Sequence, residues 1–185
     1  MKIYLLILSA MLIVPLTALG QKTNHSGDNM SSSQSNKPRI SLEAQHFLVT
    51  IATEDQSEID LAHLALKKSN NPKVQQYAKT KILAADPSME KQAKQIAREN
   101  NSPIVSFPNA TDKAEYSYLS QLSGKKFDQA YIGYEDAQQH SDSIMVNNES
   151  TGAKNQQVRS YAQKEAGPVG QAAQSAGKIA ASLGI

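Results

Sequence analysis

The sequence predicts an all-α fold: an antiparallel four-helix bundle with a kinked second helix and a short extra helix before the third. Three observations carry this. Apolar residues between Leu42 and Leu183 recur at helical spacing. No stretch alternates with period two over the length of a strand. Pro, Gly and Asn breaks divide the region into segments of bundle length joined by two short turns and one longer loop.

Two segments precede that region. Met1 and Lys2 give a short positive start, and Leu5 to Leu19 is an uncharged apolar run. Ala18 and Gly20 then supply small residues where a signal peptidase reads, so residues 1–20 are expected to be a signal peptide with Gln21 as the mature N-terminus. The run is about 15 residues and holds Pro15, shorter than the roughly 20 that span a bilayer. Residues 21–40 are Ser- and Asn-rich, and too polar to offset the entropy of ordering, which predicts a flexible tether. Residues 41–185 are the expected helical domain.

Each element has a local reason. Ser41 is placed to cap the first helix, whose stripe is Leu48, Ile51, Ala52, Ile59, Ala62 and Leu66. Asn71-Pro72 stops it and starts the second, with Asn as cap and Pro in the first turn. Val74, Tyr77, Ala78, Ile82 and Leu83 continue the second helix until Asp86-Pro87 kinks or restarts it, after which Met89, Ala93, Ile96 and Ala97 follow. Pro103 and Pro108 mark residues 100–110 as a loop. Thr111 is expected to cap a short helix that Gly124 ends or bends. Phe127, Ala130, Tyr131, Tyr134, Ala137, Ser141, Ile144 and Met145 are read as the third stripe. Thr151-Gly152 is a turn, and Val158, Tyr161, Ala162, Val169 and Ala173 face inward from a fourth helix that Gly167-Pro168 breaks. The many Ala and Gly residues of that helix are read as close packing.

Composition excludes several chemistries. The 19 Lys and Arg nearly balance 17 Asp and Glu, so no clustered basic face for nucleic acid stands out. The chain has no Cys, which removes disulfides, thiol catalysis, Cys-based zinc sites and lipoprotein acylation. It contains no Gly-x-Ser-x-Gly elbow and no phosphate-cradling glycine loop.

Four motifs resemble one family. They are Phe47 to Ala52 with Glu58 and Leu61 to Leu66; Asn71-Pro72 and Val74 with Tyr77-Ala78; Leu122-Ser-Gly with Phe127-Asp128 and Tyr131; and Tyr161-Ala162 leading to Pro168. They are similar to the exported helical family called domain of unknown function 4142, from about Leu42 to Ser175. The resemblance implies a ferritin-like bundle with periplasmic or outer-membrane association, and no established activity. This chain departs from the family pattern by lacking an Asp-His pair in the second helix and a His after Pro168.

The candidate chemistry centres on acids. On a helical wheel Asp55 falls near the middle of the first apolar stripe and Glu58 beside Ile51; buried carboxylates must be paired, hydrogen-bonded or metal-bound. Asp86 and Glu135 are further acids near that region. His140 shares a face with Asp136 at the flank of its stripe. Glu43 and His46 form a Glu-x-x-His pair in the first turn, pointing away from the stripe, and His63 also lies opposite it; His25 falls in the tether. A di-metal bundle site wants imidazoles that this chain lacks. The expectation is therefore no catalytic, cofactor or metal residues, with Asp55 and Glu58 held by Tyr77, Tyr131, Tyr134 or a Lys. The expected protein is a non-enzymatic periplasmic or outer-membrane-associated module, monomeric or weakly dimeric, binding an envelope component or small ligand with peripheral membrane contact. The alternative is a ferritin-like metal binder with a degenerate carboxylate and histidine site.

Overall fold

The computed structural model describes residues 39–185; the expected signal peptide and all but the last two residues of the expected tether lie outside them. Every regular element among the described residues is helical, and none of them is in a strand. The helices are α1 (Leu42–Lys68), α2 (Pro72–Tyr77), α3 (Asp86–Glu99), α4 (Ala110–Gln121), α5 (Gly124–Gly152) and α6 (Gln156–Leu183), with one π-helical turn, Ala78–Ile82, after α2. No helix among them is long and apolar enough to cross a membrane. Ile40 already packs in the core, one residue before the expected domain start.

Helix ends follow capping chemistry. The Ser41 side chain accepts from the Ala44 amide and the Asn71 side chain from the Lys73 amide, as their positions predict. At α4 the cap is Asn109, not Thr111. Asn109 Oδ1 accepts from the Thr111 and Asp112 amides while Asp112 Oδ2 accepts from the Asn109 amide. This reciprocal box satisfies more orphan donors than a Thr111 hydroxyl could. Gly124 neither ends nor bends α4: at φ +55° it opens α5. The α5 helix runs through Thr151 to Gly152, so the turn falls two residues later than expected.

The second stretch restarts as predicted, but the irregularity begins earlier. The backbone widens to π geometry at Ala78–Ile82, and Asp86 and Pro87 then open α3, where a missing amide hydrogen costs nothing. By contrast Pro168 does not break α6, which is continuous through it. Ala162, Val169, Ala172 and Ala176 are buried on either side and hold the helix together across the lost backbone bond.

The interior is layered. One apolar cluster joins Phe47, Leu48, Ile51, Met89, Val146, Val158 and Tyr161. A second joins Leu61, Val74, Ile82, Phe127, Tyr131 and Ile132. The α1 helix starts in the first cluster and ends in the second, and α6 does the same. The α2–α3 stretch and α5 run the other way. The connection between those two same-direction stretches is the loop 101–109 plus α4. Lys68 Nζ closes that connection against α1 by donating to the carbonyls of Ser120 and Leu122.

Candidate functional site: a buried acid layer

Between the two apolar clusters each long stretch turns an acid inward. Asp55 and Glu58 come from α1, Asp86 from the first turn of α3, Glu135 and Asp142 from α5, and Glu165 from α6; all are buried, Glu135 completely. The inward placement of Asp55 and Glu58 follows the helical wheel. The third stripe does so only in part: Phe127 and Tyr131 are buried and Ala130, Tyr134 and Met145 pack against the apolar clusters, but the rest of it does not face inward. Ala137 and Ser141 are exposed and Ile144 is 57% exposed, while Glu135, Gln139, Asp142 and Val146 face the interior. Apolar residues were the wrong marker there, because the surface that α5 meets is itself acidic.

The acids are held mainly by amides, by one tyrosine and by one another. Gln139 Nε2 donates to Glu58 Oε2 at 2.6 Å. The Tyr77 hydroxyl donates to Glu135 Oε2 at 3.1 Å, rather than to Asp55 or Glu58 as expected. The Tyr131 hydroxyl lies close to the same Glu135 carboxyl, short of an aligned hydrogen bond. Gln138 Nε2 donates to Asp142 Oδ1 at 3.1 Å. Glu58 faces Asp86 and Asp142 faces Glu54, carboxyl to carboxyl. Asp55 Oδ2, Glu58 Oε1, Asp86 Oδ2 and Glu135 Oε1 are buried and receive no hydrogen bond from any fixed donor.

Of the acids in this layer, only Glu165 has a basic partner among the described residues. Among the described residues the ion pairs are Lys94 with Glu90 and Lys164 with Glu165, the latter at 3.3 Å. Lys81 reaches the rim of the layer, and its Nζ donates to Gln171 Oε1 at 3.5 Å. His46, His63 and His140 are exposed, as is Glu43, so no imidazole joins the acids. Asp55, Asp86, Gln139, Asp142 and Pro168 surround a cavity of about 10 Å³, room for about one water molecule. No three Asp, Glu or His side chains among the described residues converge as a metal-holding group.

Burial sets the protonation of these groups. It lifts Asp55 well above the usual carboxylate range, with the charge of Asp86 adding to it, and lifts Glu58 likewise, with Glu135 adding. Burial raises Asp86 to about 8 against the opposing effect of its Glu58 contact, and Glu135 to about 8 with the charge of Asp86. Asp142 rises to about 9 through burial and the neighbouring Glu54 charge. Burial and the Glu135 charge also push the Tyr77 and Tyr131 hydroxyls upward, so both remain neutral donors. The physical origin is common to all: an ionised group loses hydration here and gains no cation in return.

Asp142, Gln139 and Glu165 escape a reading that searches for apolar stripes. The signal for α5 was nonetheless present: extending the Phe127 and Tyr131 spacing by helical steps lands on Glu135, Gln139, Asp142 and Val146. Outside the acid layer, grooves open on the surface. One of about 560 Å³ lies between α1 and α4, with Asp60, His63, Lys67, Lys113 and Tyr116 among its walls. One of about 480 Å³ lies between α3 and α6, lined largely by Gln92, Gln95, Gln156 and Gln157.

The fold has a counterpart among solved structures. The crystal structure of a DUF305 fragment from Deinococcus radiodurans superposes with a TM-score of 0.68 at 14% identity, covering 78% of this chain and 99% of that one. At that identity the likeness speaks to fold alone. No curated protein matches the chain. The family model for domain of unknown function DUF4142 matches residues 29–179, a span that takes in all six helices but for the last turn of α6, and the chain belongs to that family.

Proposed function

We propose that this protein is an exported, envelope-associated binding module without catalytic activity, built as a ferritin-like four-helix bundle. Two oppositely running pairs, α1 with α2–α3 and α5 with α6, linked by a long connection, support that architecture. The observation that carries the function is where space lies. The acid layer has room for about one water, so no organic substrate reaches its carboxyls, whereas the grooves at α1–α4 and α3–α6 are open and of ligand size. The α1–α4 groove offers an aromatic face at Tyr116 with both cationic and anionic neighbours, suited to a polar envelope component.

Signal cleavage after Gly20 and a periplasmic or outer-membrane-associated product complete the reading; the chain has no Cys to acylate. Fractionation of the native host with N-terminal sequencing is expected to recover Gln21 at the start of an envelope-fraction protein. Co-sedimentation with purified outer-membrane vesicles or cell-wall sacculi is expected, and to weaken in the Lys67→Ala, Tyr116→Ala double variant. Recovery from the cytoplasm with Met1 intact, or sedimentation with neither preparation, would overturn the proposal.

A further inference from the structure

None of the buried acids Asp55, Glu58, Asp86, Glu135, Asp142 and Glu165 lines the α1–α4 or α3–α6 groove, and the use of the layer stands independently of what those grooves bind. Two of its contacts are between pairs of hydrogen-bond acceptors. A carboxyl facing a carboxyl, as Glu58 faces Asp86 and Asp142 faces Glu54, forms a hydrogen bond only when one of the two carries a proton; with both ionised the contact is repulsive. These pairs bridge α1 to α3 and α1 to α5. We infer that the acid layer is a proton-operated latch: α1, α3 and α5 lock together while their carboxyls share protons, and loosen when the protons leave.

The surroundings leave protons as the neutralising cations. From α1 the layer contains Glu54, Asp55 and Glu58, and His46 acts on Glu54 only through space. Ahead of α3, Tyr77 and Lys81 approach it, Lys81 at the rim and turned to Gln171. The α3 helix adds Asp86 and Glu90, and Glu90 is occupied by Lys94 and Ser106. Asp112 of α4 adds further negative charge near Glu54. The α5 helix supplies Tyr131, Tyr134, Glu135 and Asp142. The α6 helix supplies Tyr161 and Glu165, with Lys164 at the solvent edge. Acids thus outnumber cations, and the cations stand at the edge: Lys81 lines the small cavity but turns its Nζ to Gln171, and Lys164 is exposed. The one-water cavity at Asp55, Asp86 and Asp142 lies beside the rim where Lys81 stands, a path by which protons exchange with solvent.

The direction of the effect follows from linkage. Asp86 and Glu135 stand at about 8 and Asp142 at about 9 in the folded chain, against roughly 4 for unfolded carboxyls. A raised folded value means that the native state holds protons the unfolded state has lost. The stabilisation is complete below about pH 4 and is lost as pH rises through 8 to 9.

Urea unfolding of the mature chain from pH 5 to pH 9, followed by circular dichroism, tests the latch. The midpoint is expected to fall by about 1 M or more across that range, and calorimetric unfolding at pH 7 in buffers of different ionisation enthalpy to show release of about one proton or more. Glu135→Gln and Asp142→Asn, amides that imitate the protonated acids, are expected to flatten the profile. Should either fail to fold, the wild-type slope and proton count still decide. Hydrogen exchange corrected for intrinsic rate is expected to quicken at α1 54–58 and α5 135–142 at pH 8. A midpoint that is flat or rises with pH, or no proton release, would sink the latch. So would Ca²⁺ or Mn²⁺ restoring the pH 9 midpoint to its pH 5 value, which would make the layer a metal site.

Discussion

The apolar clusters at either end of the interior and the acid layer between them are built from the same helices but obey different physics. In the clusters, side chains such as Phe127, Leu48 and Val158 are fully buried with nothing to ionise, and burial alone stabilises them. In the acid layer the same depth of burial opposes folding unless each carboxyl keeps a proton or a donor. Phe127 stacks on Tyr131 at 5.9 Å, while Tyr131 in turn lies close to Glu135. One aromatic residue therefore marks the boundary between an interior indifferent to pH and an interior governed by it. A bundle built this way trades stability at neutral pH for a response that apolar packing cannot give.

The largest effect expected is in the apolar clusters. Phe127→Ala should cost about 3–5 kcal/mol, and the loss should be nearly equal at pH 5 and pH 8, measured by urea unfolding. The acid layer should behave oppositely. Asp86→Asn removes a carboxyl that burial raises to about 8. It is expected to stabilise the protein at pH 8.5 by about 1 kcal/mol or more, since each pKa unit is worth about 1.4 kcal/mol, and to change little at pH 4. A loss from Phe127→Ala that varied strongly with pH would erase the distinction between the two regions.

Tyr77→Phe sharpens the comparison. Tyr77 reaches from the second cluster to Glu135, and the substitution keeps the ring while deleting one donor. The expected cost is about 1–2 kcal/mol. It should grow as pH rises, because an ionised Glu135 needs that donor more than a protonated one. A cost that is constant from pH 5 to pH 8.5 would mean the contact is only packing.

The helical character of every element and most boundaries were legible because caps and periodicity are local properties. Ser41, Asn71 and Pro72 act within one turn, where sequence neighbours are also spatial neighbours. The inward acids of α1 were legible too, because strong apolar flanks define that face. What escaped was the later, polar part of the α5 face, beyond the correctly read Phe127 and Tyr131. Its polarity makes sense only beside Glu54, Glu58 and Asp86, residues distant in the chain, and no periodicity of hydrophobicity reports such a match. Asn109 was hidden by a competing cap two residues later, and the continuity of α6 through Pro168 depends on packing rather than on local propensity.

The smallest effect tests packing where α6 passes along α5. Gly170 and Gly177 both lie inside α6, where replacing Gly by Ala gains about 0.5–1 kcal/mol of helix stability when space permits. At Gly170 an added Cβ meets nothing within 4 Å, whereas at Gly177 it would sit 3.1 Å from Asp136 Oδ1. Gly170→Ala is therefore expected to raise Tm by a few degrees. Gly177→Ala should gain less, because Asp136 must turn away to admit the methyl group. Asp136 is half-buried and outside the acid layer, so neither substitution should alter the slope of stability against pH. If Gly177→Ala changed that slope, the close approach of α6 to α5 would be coupled to the acid layer rather than separate from it.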